Sequence, residues 1–379
     1  MDSGRRSGPG ALTSLEAARA LLLNMLRPVD PVLTPRDEAL DCICAEPLIV
    51  GVQPPRAIAL RDGWAMRAED LAGASSYAPV LLTTQPIAVE TGDALPPECD
   101  CVIDHHGLDL GGPMAQAVIE ALPGENVRRP GEDASAAGAL FAPGHRLRPT
   151  DLACAQSIGI QHLSVRRPHV LILDAPARDG ARTTCDFLRR ALVGVGARVT
   201  LRACADRSAS AIRISLETAA ADLILLIGGT GLGASDHAIV ALENCGAIHL
   251  QGVALEPGRT SAIATVAGTP VIAIPGLFEQ ALGAWLGLVQ PALDRLTLRQ
   301  PTAPLKLPLT QKIASRVGVA EVALLRRQGD AFASLAIGEL PLQSLCAATH
   351  VTIIAAGSEG HASGEPVDAF PLPGVEAGP

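Results

Sequence analysis

From residue 168 to residue 298 the chain alternates between short unbroken apolar runs and stretches in which apolar side chains return every three or four positions. The first pattern predicts strands covered on both faces, and the second predicts amphipathic helices. Strands are expected at 170–173, 198–202 and 223–227, with helices at 184–195, closing at Gly196, and at 208–220. A βαβαβ order folds as a parallel sheet flanked by helices, because a crossover must carry the chain back to the start of each parallel neighbour. A helix at 236–245, strands at 262–266 and 271–274 and a long helix at 277–296 complete this α/β domain at 169–300.

The flanking segments have other patterns. Thr13-Ser14-Leu15-Glu16 is a capping box with Thr13 as the cap, and Leu15, Leu22 and Leu26 then recur at near-helical spacing up to Pro28. A second short helix is expected from Thr34-Pro35-Arg36-Asp37-Glu38. Residues 50–145 carry short apolar runs (80–83, 87–89, 102–103, 117–119, 140–141) separated by Gly, Pro and Asp, which reads as a β-rich domain. Helical character resumes at 150–159, so that domain is inserted into a discontinuous helical linker domain, 11–49 plus 146–168. After the linker Pro301-Thr302-Ala303-Pro304, strands at 321–326, 331–336 and 350–355 predict a final β-rich domain at 301–379.

The length of 379 residues agrees with several cores. Apolar residues make up 48% but aromatics only 2%, so those cores are built from Ala, Val, Leu and Ile. The formal charge of −9 disfavours binding to a phosphate backbone and excludes nucleic acid as the expected partner. Nine cysteines, an odd number without a secretory signal, point to reduced thiols in a cytoplasmic protein. Zinc held by the C-x-C pairs Cys42/Cys44 and Cys99/Cys101 is outweighed, since nothing in the sequence brings the pairs together. Cys185 and Cys245 are read as packing residues. The uncharged run 260–278 has the length of a membrane span, but Gly268, Pro270, Pro275 and Gly276 fit two strands about a turn, and the Leu-rich stretch in 5–26 is broken by Glu16, Arg19 and Asn24. No membrane association is expected.

Candidate chemistry gathers on glycine-bearing loops. Gly228-Gly229-Thr230-Gly231-Leu232-Gly233 follows a buried strand and precedes a helix near Asp236, an arrangement in which backbone N–H groups can meet an anion. Its spacing and its place after the third strand do not fit a dinucleotide fingerprint. Pro257-Gly258-Arg259 and Pro275-Gly276 are turns in the same domain, and loops at the carboxyl ends of parallel strands converge on one crevice. In the insertion, Asp62-Gly63-Trp64, Thr91-Gly92-Asp93 and the stretch 124–133 place carboxylates beside glycines, which suits an oxygen-liganded metal such as Mg2+.

Taken in order, Asp62-Gly63-Trp64-Ala65, Thr91-Gly92, the stretch 123–133 ending in Arg128-Arg129-Pro130-Gly131-Glu132-Asp133, the 228–233 loop with Asp236, Pro257-Gly258-Arg259 and Ile274-Pro275-Gly276 resemble the MoeA family, the molybdopterin molybdenumtransferases. The resemblance extends over about residues 12–373. It implies a helical domain interrupted by a β-rich insertion, an α/β molybdopterin-binding domain with a mostly parallel sheet, and a C-terminal β-barrel, assembled as a homodimer. The implied reaction inserts molybdenum from molybdate into adenylylated molybdopterin with Mg2+-assisted loss of AMP. In that scheme Asp62, Asp133 and Asp236 are catalytic, with Asp236 and Asp62 holding metal. Gly228, Gly229, Thr230, Gly231, Gly233, Pro257, Gly258, Arg259, Pro275, Gly276 and Thr91 contact the ligand. Implied partners beyond the second copy are the upstream adenylyltransferase and recipient molybdoenzymes.

The sequence also departs from the family pattern. Where the family has a Thr-Gly-Asp-Glu turn the chain reads Asp174-Ala175-Pro176-Ala177-Arg178, and an Asp-Thr-Asn-like element is reduced to Arg182-Thr183-Thr184. A Lys-Pro-Gly-Lys-Pro loop has become Glu256-Pro257-Gly258-Arg259-Thr260, and a Pro-Gly-Asn-Pro turn has become Pro275-Gly276-Leu277-Phe278. Glu256 reverses a charge, which Arg178 and Arg182 are expected to offset. Two functions follow as expectations: a working molybdenumtransferase, or a catalytically degenerate molybdopterin-binding carrier, scaffold or regulator on the same fold.

Overall fold

The computed structural model describes residues 12–135 and 138–372, so the outermost ends of the expected first and last domains, including residues 5–11 and 373–379, lie outside the described residues. The chain divides into two compact units, one spanning Pro47–Ala142 and the other Met1–Glu46 with Pro143–Pro379. The inserted unit thus begins and ends a few residues earlier than the expected 50–145.

In the larger unit the strands His169–Asp174, Arg198–Ala203, Leu223–Ile227 and Thr269–Ile274 pair in parallel, in the spatial order 198–203, 169–174, 223–227, 269–274. Two antiparallel strands, Ala262–Val266 and Gly246–Gln251, extend the sheet beyond 269–274. Ala267 and Gly268, at φ 49° and 83°, make the two-residue turn that joins 262–266 to 269–274. The first of these strands shows why the apolar runs are unbroken. Val170 and Ile172 face one core with Leu188 and Leu192 of the helix Thr183–Val193, and Leu171 and Leu173 face another with Ile212 and Leu216 of the helix Ala209–Glu217. Ala238–Cys245, shorter than the expected 236–245, covers the second face as well.

The long C-terminal helix of this domain is continuous but irregular. Phe278–Ala284 leads through a π-helical turn, Trp285–Val289, into Gln290–Thr297. Pro291 has no N–H to offer the carbonyl four residues before it, Gly287. Arg19, on the first helix Leu15–Met25, fills that vacancy: its Nε donates to Gly287 O at 2.7 Å and its Nη2 to Leu286 O at 3.3 Å. Burial lowers the Arg19 pKa, yet the guanidinium is where two helix carbonyls need a donor.

Two sequence expectations change at the N-terminus. The cap of the first helix is Ser14, whose hydroxyl accepts from Ala17 N, while Thr13–Ser14 form a short strand parallel to Val253–Glu256. The helix expected at 34–38 is instead a strand, Val32–Pro35, followed by a single 3-10 turn, Arg36–Glu38. Thr34 precedes a proline and Val32 is β-branched, both of which favour extended backbone. That strand pairs with His162–Arg166, which also pairs with Ile43–Cys44, so the expected helical linker is a mixed region with a three-stranded sheet and the helix Pro149–Ser157.

Residues 253–256 leave the α/β sheet and join the C-terminal strands. The path runs Thr13–Ser14, Val253–Glu256, Ala320–Gln328, His350–Ile354, Pro366–Pro371, Leu305–Pro308, with Ala331–Ile337 on the other edge of 320–328. In place of a full ladder closing a barrel, one bridge between Leu309 and Phe332 and the bond from Thr310 N to Phe332 O at 2.8 Å bring the ends together. Ala320, Val322 and Leu324 share the core of the first helix and of 278–297. The unit 47–142 is built from short strands, chiefly Gly63–Met66 between Ile87–Val89 and Cys101–Ile103. Among the described residues no helix is long and apolar enough to cross a membrane.

Two stability predictions follow from polar groups in these cores. Removing the donor in Arg19→Ala leaves the Gly287 and Leu286 carbonyls unpaired and should cost about 2 kcal/mol, read as a lower midpoint in urea. Asp151 is buried and accepts from Arg148 N at 2.8 Å and Arg148 Nη2 at 2.9 Å, and lies 2.8 Å from His145 Nε2. Burial pushes its pKa up, but Arg148 and His145 outweigh that and hold it well below the usual carboxylate range. Its folded pKa lies below the unfolded one, so the stabilisation is complete above about pH 5 and is lost as the pH falls further. Asp151→Asn should lower the thermal midpoint at pH 7, and the gap to wild type should narrow between pH 5 and pH 3 on the same calorimeter.

Candidate functional site

The ends of three parallel strands, at Asp174, Ile227 and Ile274, open into a crevice of about 460 Å³. Strand 169–174 is followed by a helix on one face of the sheet, and strand 223–227 is reached from a helix on the other. The chain therefore reverses direction along the sheet between these two strands, which leaves a gap at their carboxyl ends. A larger cavity of about 730 Å³ lies at the amino ends, near Arg198, Asp222 and Thr269; the one glycine that lines it, Gly268, belongs to the tight turn between two strands. The smaller one carries the chemistry.

Gly228 and Gly229 have φ of +85° and +71°, which a side chain would strain. A Cβ on Gly228 would stand 3.1 Å from Ala175 O, so the loop after 223–227 presses against the turn after 169–174. The loop then bends around the carboxylate of Asp236: Oδ2 accepts from Gly233 N at 3.0 Å and lies 2.6 Å from where a Gly231 Cβ would be. Arg207 Nη2 donates to the other oxygen, Oδ1, at 3.2 Å, and Arg207 Nη1 donates to Pro176 O at 2.7 Å. Thr230 and Thr260 meet hydroxyl to hydroxyl at 3.0 Å, and Thr184 Oγ1 donates to Gly276 O at 2.7 Å. Asp174 is buried in the same region as Cys185, whose thiol pKa is pushed up first by burial and then by that carboxylate.

The structure sorts the expected residues into groups. Gly228, Gly229, Thr230, Gly231, Asp236, Pro275 and Gly276 line the crevice together, and so does Arg178. Gly233, Pro257, Gly258, Arg259 and Arg182 do not line it. The reason for the 257–259 turn is packing. A Cβ on Gly283 would fall 1.8 Å from Pro257 O, so the turn lies directly on the helix 278–284, and Gly258 N donates to Gln280 Oε1 at 2.7 Å. Arg259 is paired with Glu256 at 2.5 Å, so the reversed charge at 256 is neutralised within its own loop. Arg207, Thr184, Thr260 and the Asp174 carboxylate were not singled out from sequence. Their one signal is position, just past the carboxyl ends of strands or at the start of the next helix.

In the unit 47–142, Asp62 Oδ1 accepts both Thr91 N and Thr91 Oγ1 at 2.7 Å. These two bonds, the hydroxyl's first, hold the exposed Asp62 carboxyl below its usual pKa. Gly63 sits there because a Cβ would stand 2.0 Å from Ile103 O. Asp133 pairs with Arg128 and its N–H donates to Gln53 O. Each expected metal ligand therefore has a protein partner, and among the described residues no three His, Cys, Asp or Glu side chains cluster as a metal site. This donor set does not fit a resident Mg2+, which needs near-octahedral oxygen ligation.

Comparison with known proteins bears on these geometries. A family model described as the MoeA N-terminal region (domain I and II) matches residues 13–159, and one described as a probable molybdopterin binding domain matches residues 181–295. Molybdopterin molybdenumtransferase 2 of Mycobacterium tuberculosis is 26% identical over 323 residues, 74% of this chain and 79% of its own length. The molybdopterin molybdenumtransferase of Synechococcus elongatus is 28% identical over 349 residues, 81% and 86% of the two chains. The crystal structure of the molybdopterin biosynthesis moeA protein from Pyrococcus horikoshii OT3 superposes with a TM-score of 0.72 at 23% identity, covering 95% of this chain and all of that one, a likeness of fold.

The Asp62 turn yields a direct test. Thr91→Ala removes the hydroxyl bond and leaves the backbone one, so the Asp62 carboxyl should titrate at higher pH than in wild type. A carboxyl carbon NMR titration that shows no rise would mean that the hydroxyl does not hold Asp62.

Proposed function

We infer the function from one premise: this chain belongs to the MoeA family and has its place in molybdenum cofactor biosynthesis. The crevice at the ends of 169–174, 223–227 and 269–274 binds molybdopterin. The observation that supports this most directly is the glycine loop 228–231 at the point where the sheet reverses, with a cation, Arg207, beside it. Backbone N–H groups and a guanidinium in a walled crevice favour a phosphate more than water does, because they are already oriented.

The reaction we propose is insertion of molybdenum from molybdate into adenylylated molybdopterin, with AMP released. Both reactants are anions, and holding them together requires positive charge that does not have to reorganise. Arg207 and Arg178 supply it in the crevice, and Thr184 and Thr260 offer hydroxyls at its wall. Asp236, anchored on Gly233 N, is the carboxylate placed to orient the reacting groups. The homodimer, the roles of Asp62, Thr91 and Asp133, the helical, insertion, α/β and barrel divisions of the chain, and a cytoplasmic site of action belong to the same proposal.

Two observations favour a second reading, a carrier or regulator that binds molybdopterin without turnover. The acidic turn is absent at 175–178, and Arg259 is occupied by Glu256. Titration of the purified protein with molybdopterin and with its adenylylated form, with and without molybdate and Mg2+ and with AMP measured, separates the two. Molybdate-dependent AMP release, reduced about 100-fold or more in Asp236→Ala, is expected for the transferase. Binding without release would assign the carrier role, and no binding would remove both readings.

A further inference from the structure

Arg207 has an arrangement that calls for a ligand. Its Nη1 holds Pro176 O, its Nη2 reaches one oxygen of Asp236 at the long distance of 3.2 Å, and its buried Nε has no hydrogen-bond partner among the described residues. A guanidinium satisfies a carboxylate best as a fork, two parallel N–H groups on two oxygens. Here the contact is single, because Asp236 gives its other oxygen to Gly233 N. The pair is about three-quarters buried on both sides, and the Nε itself is out of contact with solvent. The other loop cation, Arg259, is paired with Glu256 and does not line the crevice.

We propose that Arg207 is the residue that receives the phosphate of the crevice ligand, and that it does so by exchange. Without ligand, the Asp236 carboxylate stands in the glycine loop as an internal anion and holds Arg207 by one bond. A phosphate monoester brings three oxygens, enough to take both the Nε and Nη2 donors as a fork, and Arg207 then leaves Asp236 for the ligand. The Arg207–Asp236 ion pair is thereby opened only when a phosphate is present, which couples the loss of that pair to occupancy of the site. The proposal rests on the pterin-phosphate reading of the crevice and names the side chain that recognises it.

The exchange makes opposite predictions for the two partners. Arg207→Ala should weaken molybdopterin binding by roughly tenfold or more, and Arg207→Lys, which keeps the charge but not the fork, should recover only part of it. Asp236→Ala should tighten binding about threefold or more, since the competing closed pair no longer reduces the competent fraction. In an Arg207→Ala background that gain should vanish, whereas simple removal of a repelling charge would leave it intact. Calorimetric titration with molybdopterin reads all four proteins, and unfolding midpoints establish that each is folded. Inorganic phosphate serves as a second probe: a stabilisation by phosphate but not chloride, lost in Arg207→Ala and Arg207→Lys, supports the exchange even if wild type binds no pterin, in which case the pterin reading fails alone. Unchanged affinity in the Arg207 variants, or weaker binding in Asp236→Ala, overturns the proposal while leaving the pterin reading in place.

Discussion

Everything in the larger unit is organised by the need to cover both faces of two central strands. Strands 169–174 and 223–227 have apolar side chains on alternate faces with no polar edge to leave exposed, so helices must close over both sides. A chain that covers one face before crossing to the other reverses direction along the sheet, and the reversal leaves the carboxyl ends of the two strands unroofed. The crevice is thus a by-product of burial. What evolution can vary is the set of loops that emerge there, and in this chain those loops are rich in glycine on one strand and in arginine on the neighbouring turns.

The electrostatics of the loops are internally balanced. Asp236 faces Arg207, Glu256 faces Arg259, and Glu321, in register beside Glu256, accepts from Ser315 Oγ and Arg316. Burial acts to raise the Glu321 pKa, but the Arg316 and Ser315 donors win and keep it low. Such pairing offsets the cost of placing charges away from water, and it also decides which cations a ligand can recruit. Arg259 meets Glu256 within its own turn, whereas Arg207 holds Pro176 O and, by one long bond, Asp236, and leaves its Nε without a partner among the described residues. In the proposal made above, affinity for an anion rests on Arg207, which lines the crevice, and not on Arg259, which does not.

The pattern of apolar positions made the central strands, the helices that cover them and the inserted β-rich segment legible, because burial on two faces and alternation leave direct marks on the sequence. The glycine loop at 228–231 was legible for the same reason, since a buried strand ended where glycine began. Thr13–Ser14 was not, because a two-residue strand is made by its distant partner and the local residues also satisfy a helix cap. Residues 246–256 were missed as strands because 246–251 form an edge strand, where periodicity is weak, and 253–256 are a four-residue strand whose partners, at 13–14 and 320–321, lie far away in sequence. Arg207 sits in an ordinary polar turn, and its meaning comes from Asp236 and Pro176, which only the fold brings to it. Arg259 was assigned to the ligand although Glu256 stands three residues before it, a spacing that already allowed an ion pair.

The pairing of Thr13–Ser14 with Val253–Glu256, and the seat of Arg19 on the carbonyls before Pro291, have a meaning for the growing chain on the ribosome. The first helix emerges early with Leu15, Leu22 and Leu26 uncovered, while the strand, the helix and the C-terminal sheet that bury them are among the last parts to be made. The inserted unit carries its own cores and can close in the interval. Residues 15–26 therefore stay uncovered until 253–372 have been made, and they work as a late clasp on the larger unit that locks only after those residues arrive.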